Sequence, residues 1–307
     1  MTEHKRLHFG IKTTQYIPYA DIVRIWQEAE GYPAIEHAWL FDHPMPIGRA
    51  DPSGPCLDGW TVLAALAGQT QRLRLGLMVA SNANQTPAQL AKRAATLDVI
   101  SNGRLEFGLG AGGVEREHTA YGTDLFPPGE RIRRLDEACQ IIRRMWTEPV
   151  VDFEGRYYHM AQAYCEPKPV QKPTPPFILG GAGEQLTLRV VAQQADVWNY
   201  PGLVISGPAP AGAASVVSSV QEFQHKSAVL DGYCAEIGRD PASLARSVQL
   251  IFGREDPATT RQILQDFIAA GATHLVLGVR QPPYEGMARW LSEEIIEPVR
   301  ESVRAGG

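Results

Sequence analysis

Two adjacent residues, Asp42 and His43, close the apolar run EHAWLFD with a carboxylate and an imidazole. The ordinary pKa of a histidine, about 6.5, lets it give or take a proton near neutral pH, so the pair suits acid-base work. By residue type alone, Asp42 is equally a turn-forming carboxylate and His43 a solvated loop imidazole. Two glycine-rich stretches could bring backbone close to a ligand. In GLGAGGVE, Gly108, Gly110 and Gly113 spell GxGxxG after a strand-like run. A dinucleotide site would also need a helix opening at the third glycine and an acidic ribose ligand about 20 residues on. Glu130 lies near that distance, but it sits in PPGERIRRLDEA, which reads as a helix start. The stretch is better read as a small-residue strand end, Gly110, Ala111 and Gly112, against which a flat ring can lie. In ILGGAGEQLTLRVV, Gly180, Gly181, Ala182 and Gly183 precede a helix whose free N–H groups and positive end suit a phosphate; an ordinary tight turn is the alternative.

These residues need a scaffold that gathers strand ends. Eight short apolar runs read as buried parallel strands: 7–13, 36–42, 73–80, 104–110, 176–181, 196–200, 247–253 and 273–279. Between them lie helical patterns at 20–30, 58–69, 87–100, 129–146, 184–194, 215–237, 257–270 and 284–303, several opened by Asp or Thr-Pro cap signals. Eight alternating units predict an α/β fold, a (β/α)8 TIM barrel with loop insertions at its C-terminal face, as one domain over 1–307. The barrel itself needs about 250 residues. The surplus falls in the Pro- and Gly-rich loop after the second strand, in the hairpin-like segment around Glu154-Gly155, and in the loop after the sixth strand. Active residues then belong at the C-terminal strand ends, where Asp42, His43 and both glycine stretches stand.

Composition excludes other classes. The chain has 307 residues, 44% of them apolar, and a formal charge of −5 without a polybasic run, so neither nucleic acid nor a membrane surface is expected as a partner. The N-terminal MTEHKRLHFGIK has no apolar leader core, which predicts a cytoplasmic protein. Cys56, Cys139, Cys165 and Cys234 are far apart, and the histidines lack partners at ligand spacing, so no metal site is expected.

With the blocks WLFDHPMP, LDGWTVLAALAGQTQRLRLGLMV, TPAQLAKRAATLDVISNGRLEFGLGAG, FPPGERIRRLDEA, FEGRYYHM and PKPVQKPTPPFILGGAGEQLTLRVVAQQADVWN, the chain resembles the bacterial luciferase-like superfamily, and within it the branch using coenzyme F420. The resemblance runs from about Leu7 to Tyr200; beyond, it extends only as barrel completion. It implies a deazaflavin held at the barrel mouth, with a small organic substrate above it and the enzyme acting as a homodimer. By the same resemblance Asp42 and His43 lie beside the ring, His43 as the acid-base residue. Leu77, Met78, Val79 and Ala80 form a bulge behind the ring with a cis peptide between Leu77 and Met78. Gly110, Ala111 and Gly112 line the ring, and Gly180, Gly181, Ala182 and Gly183 hold the phosphate. The sequence departs from the pattern at Gly113 and Val114, where resembling enzymes carry an aromatic followed by Asn or Phe, and at Ala80, where Ser or Thr is common. An FMN-dependent monooxygenase is the alternative, and a barrel that binds cofactor without turnover is a third.

Overall fold

The computed structural model describes residues 6–47, 51–206, 219–279 and 284–305, and for 201–206 the backbone only. In chain order the strands are β1 (His8–Lys12), β2 (His37–Leu40), β3 (Arg74–Leu77), β4 (Ala80–Ser81), β5 (Phe107–Gly110), β6 (Val151–Glu154), β7 (His159–Ala163), β8 (Phe177–Gly180), β9 (Val197–Ser206), β10 (Ala245–Phe252) and β11 (His274–Val279). Strands β6 and β7 form a separate antiparallel hairpin. The other nine make one parallel sheet in the order β3-β2-β1-β11-β10-β9-β8-β5-β4. Its two ends are halves of one stave, because β4 continues β3 after a two-residue break. Residues Leu75 and Leu105 bridge across the remaining seam, with Glu106 N–H donating to Leu75 O at 2.9 Å. The sheet is therefore an eight-stave closed barrel, as the alternation of the sequence predicts.

Around it lie α1 (Tyr19–Glu30), α2 (Gly59–Ala67), α3 (Pro87–Ile100), α4 (Glu115–Tyr121), α5 (Pro128–Thr147), α6 (Thr187–Gln194), α7 (Val220–Glu236), α8 (Pro257–Ala269), α9 (Met287–Trp290) and, after a π-helical stretch Leu291–Ile296, α10 (Glu297–Ala305). The cap signals act where the sequence places them. Asp58 accepts from Thr61 N–H, Thr86 and Gln89 cap each other reciprocally, and Asp256 accepts from Thr259 N–H. Other helix starts move inward: α6 opens at Thr187 rather than Glu184, and α7 opens after Ser219, whose hydroxyl accepts from Glu222 N–H. The expected loop after the sixth strand lies outside the described residues from 207 to 218.

Strand alternation separates two cores. Outward residues such as Phe107 and Phe177 form an aromatic trio with Trp146 of α5, Phe107 edge-on to both partners and Phe177 tilted against the indole, ring centroids 5.2–5.3 Å apart. Inward, Trp39, Met78, Ile178 and Val276 fill the barrel. Large inward groups are matched by absent ones. A Cβ at Gly10 would overlap the His37 ring, and one at Gly76 would lie 2.5 Å from Trp39 Cζ3. Below this layer the barrel is polar: His274 stacks on His37 at 4.1 Å and approaches Glu106 Oε2 at 3.3 Å, and Arg74 pairs with Glu106 at 2.6 Å. Burial alone would raise the Glu106 carboxyl, yet the His274 hydrogen bond and the nearby charges of His274, His37 and Arg74 hold it well below the usual carboxylate range.

Candidate active site

The break between β3 and β4 shapes the barrel mouth. Met78 N–H still donates to Leu40 O at 2.8 Å, so the ladder to β2 runs one residue past β3. The cis peptide follows at Met78–Val79, not at the expected Leu77–Met78, because the strand pairing holds the chain through the Met78 N–H. The same alternation relocates two expected site residues. The side chain of Leu77 is buried in the outer core beneath α2, and that of Met78 lies in the barrel interior; neither side chain reaches the mouth. Val79 is placed at the strand ends instead. A Cβ on Gly110 would lie 2.8 Å from Val79 Cγ2, and one on Gly180 would lie 3.2 Å from it. The space at those two glycines is thus already taken by Val79, and their first use is the chain's own packing.

Beneath Val79, Lys12 at the end of β1 donates to Met78 O at 3.2 Å and to Gln249 Oε1 at 2.6 Å. Gln249 in turn donates to Asn199, and Asn199 to Ser247, so the cation is the upper end of a polar chain through the barrel. Burial lowers its pKa to about 8. Sequence reading missed Lys12. Its signal was a charged residue inside an apolar run, at an inward position two residues after Gly10.

Asp42 and His43 leave β2 at the same end. Asp42 Oδ2 accepts from Ser81 N–H at 3.1 Å, and burial raises the Asp42 carboxyl despite that bond. His43 Nδ1 lies 3.0 Å from Glu117 Oε1 and 3.1 Å from Oε2, with the Glu117 side chain 7% exposed. A carboxylate held there accepts the Nδ1 proton and leaves Nε2 as the basic nitrogen. Among the described residues no partner engages Nε2. Glu117 was not anticipated, because α4 carries no apolar stripe and EREHTAY reads as a charged loop. The helix does open two residues after Gly113, but it is only seven residues long and it presents a carboxylate to His43.

The glycine stretches converge on this mouth. Asn82 N–H donates to Gly110 O at 2.9 Å, and a Cβ on Gly112 would meet Ser81 Oγ at 2.6 Å. The loop Gly180–Gly183 stands alongside. Gly181 (φ +140°) donates its N–H to Asn199 O and accepts from Trp198 Nε1 at 2.7 Å, so its own amide is spent inside the fold. Asp42, Val79, Ala80, Gly110, Gly112 and Gly181 are all at one end of the barrel. Next to Ala111 a cleft of about 280 Å³ opens between Asn82, Gln85 and Gln89 on one side and Phe126, Arg131 and Tyr158 on the other.

The chain matches the profile of the luciferase-like monooxygenases over residues 6–294. It belongs to that family. This luciferase-like barrel is 32% identical over 148 residues, 48% of its own length, to an F420-dependent glucose-6-phosphate dehydrogenase of Amycolatopsis mediterranei. The aligned part is 44% of that enzyme; the chain spans about half the length of the curated relatives it matches. Among solved structures it superposes on an F420-dependent secondary alcohol dehydrogenase in complex with an F420-acetone adduct, with TM-score 0.79, 16% identity, and coverage of 96% and 99% of the two chains. It also superposes on the EDTA monooxygenase of Chelativorans sp. BNC1, with TM-score 0.76, 11% identity and coverage of 97% and 94%. At such identities these two likenesses establish the fold. Among the described residues no helix is long and apolar enough to cross a membrane, and no three His, Cys, Asp or Glu side chains are grouped to hold a metal ion.

Proposed function

We propose that the protein is a coenzyme F420-dependent oxidoreductase acting on a small organic substrate. The observation that carries this reading is the Asp42-His43 pair at the barrel mouth with Glu117 fixing the imidazole, in a chain about half of which aligns with F420-dependent glucose-6-phosphate dehydrogenases. The mouth suits a flat polar cofactor: Asn82 Oδ1 and Arg131 Nε are buried there without a hydrogen-bond partner, beside backbone bared by Ala111 and Gly112. Val79 and Ala80 would back the ring, Asp42 and Ser81 would face its polar edge, and the loop 180–183 would take the phosphate on amides beyond that of Gly181.

When bound, the deazaflavin supplies or accepts the hydride. The chain's own part is proton handling. With Nδ1–H donating to Glu117, neutral His43 can draw a proton from a hydroxyl onto Nε2; once protonated, it can return that proton to a reduced substrate. Glu117 holds the imidazole in the tautomer and orientation that present Nε2 in both directions, and such catalysis is typically worth roughly 10²–10⁴-fold. The test is direct titration of F420 and of FMN by quenching of tryptophan fluorescence, followed by a redox screen of alcohols, enones, imines and sugar phosphates. Selective F420 binding and a His43→Ala variant that binds but barely turns over are expected. Tighter FMN binding with oxygen consumption would move the protein to the monooxygenase reading, and binding of either without turnover of any substrate to the non-catalytic one.

A further inference from the structure

Lys12 is a buried ammonium whose counter-charge does not stand beside it. Met78 O, Gln249 Oε1 and, at 5.9 Å, the Phe41 ring face its Nζ, and among the described residues no carboxylate pairs with it. The chain of hydrogen bonds that starts there ends on an anion at the barrel floor. An ammonium can only donate, so Gln249 turns its oxygen to Lys12 and its Nε2 to Asn199 Oδ1 at 2.9 Å; Asn199 in turn donates Nδ2 to Ser247 Oγ at 3.1 Å. Ser247 is then left to donate to His274 Nδ1 at 2.9 Å, and the remaining ring proton, on Nε2, points at Glu106 Oε2, 3.3 Å away. Every donor along the path points from Lys12 toward Glu106. Each group therefore turns its negative end to the cation and its positive end to the carboxylate, and the two charges stabilise each other without touching. Arg74 and His37 complete the floor around Glu106; Asp42, His43 and Glu117 are the other ionisable groups at the mouth. A direct ion pair would cancel much of the field of Lys12. A cation parted from its anion by Gln249, Asn199, Ser247 and His274 keeps that field, and the low-dielectric interior carries it further than water would.

We propose that Lys12 is a specificity-determining residue, a positive charge held unneutralised beneath Val79 that favours a cofactor ring bearing a negative charge over a neutral one. The assignment rests on the deazaflavin reading above. The ring of F420 carries an acidic hydroxyl and can bind as the anion, whereas the ring of FMN has no group that ionises near neutral pH. A nearby opposite charge favours the ionised form, so Lys12 makes the bound hydroxyl more acidic and strengthens F420 relative to FMN. Gln249, Asn199, Ser247, His274 and Glu106 act on the ligand only through Lys12 and are positioning residues.

Fluorescence titration of F420 and of FMN into wild type, Lys12→Met and Ser247→Ala near neutral pH tests this without any turnover, with thermal unfolding showing each variant folded. The ratio of the two dissociation constants should move toward FMN by roughly tenfold or more in Lys12→Met, the effect of about one unit of pKa. Ser247→Ala, which breaks the relay away from the mouth, should move it the same way by less. Phosphate and tail contacts are common to all three proteins and drop out of the change. Absorbance of bound F420 against pH gives the second readout: its ring hydroxyl should ionise at lower pH in wild type than in Lys12→Met. A lysine that merely supports the Met78 carbonyl would leave that ionisation unmoved and weaken both cofactors alike. That result in folded Lys12→Met overturns the assignment, while F420 selectivity of the wild type leaves the deazaflavin reading standing; an unchanged ratio in folded Ser247→Ala overturns the relay. If Ser247→Ala does not fold, Lys12→Met and the absorbance titration decide alone. Tighter binding of FMN by the wild type, or binding of neither cofactor, removes the deazaflavin reading and the assignment together.

Discussion

Lys12 carries a charge that the fold disfavours, and the size of the penalty can be read from its shift. Burial takes its pKa from 10.5 to about 8, and each unit corresponds to about 1.4 kcal/mol, so keeping Lys12 protonated in the folded chain at neutral pH costs about 3 kcal/mol. Between these two values the unfolded chain retains a proton that the folded chain has released. Stability therefore rises with pH through that window; the penalty is full below about pH 8 and gone above about pH 10.5. In Lys12→Met the penalty disappears, but Gln249 Oε1 and Met78 O lose their donor, at about 1 kcal/mol each. The variant should be about 1 kcal/mol more stable than wild type near pH 7 and less stable than it near pH 10, a swing of about 2–3 kcal/mol. Urea denaturation of both proteins at several pH values, followed by tryptophan fluorescence, measures the swing directly; tyrosine titration cancels because both chains share it. A difference between the two curves that stays constant across that range would refute the account of Lys12 as a buried cation. An anionic ligand in the mouth should also protect the wild type more than Lys12→Met, since only the former has a charge to satisfy.

Glu117→Gln keeps an acceptor at His43 Nδ1 but removes the charge, so kcat should fall at least tenfold with KM little changed; a purely structural role would instead lower the unfolding temperature and spare kcat. Gly108→Ala drives a Cβ into the Leu77 carbonyl oxygen, which no rotamer change relieves, and should cost about 2–3 kcal/mol in chemical denaturation; wild-type stability would mean the chain path around Val79 is misplaced. Gly181→Val adds strain at φ +140° to a Cβ 2.5 Å from Thr187 Cγ2, so it should lose stability as well as ligand affinity. Gly183→Ala, whose Cβ meets the Thr187 hydroxyl at 2.9 Å, is the milder probe, expected to weaken phosphate binding in a calorimetric titration with unfolding nearly unmoved.

The barrel was legible because outward-facing strand residues and helix caps are local signals: apolar runs at regular intervals, Thr86-Pro87 and Asp256-Pro257 at helix starts. What was not legible lies on the inward face of the staves. In the first run His8, Gly10 and Lys12 alternate with Phe9 and Ile11, and the run reads as apolar unless the barrel interior is known to need a small residue against His37 and a cation under Met78 O. Asp42 and His43 could be placed at the rim, since they end a strand. Glu117 and Arg131 could not, because each reaches the mouth from a helix whose surface pattern is charged, and only the tertiary fold shows which charge faces inward.

The GxGxxG spacing shows how one pattern arises from two different demands. In a dinucleotide enzyme the first two glycines bring a turn against pyrophosphate. Here Gly108 and Gly110 are two inward positions of one stave, set two apart by strand alternation: the first clears the Leu77 carbonyl, the second clears Val79. The third, Gly113, lies beyond the strand and clears Arg131. Where Leu77 O and the Val79 side chain crowd the facing stave, that stave must be thin, so the glycines record the fit of the staves before they record any ligand. Val79 stands at the same end as Asp42 and Ser81, and ligand contact becomes a consequence of how the staves fit one another.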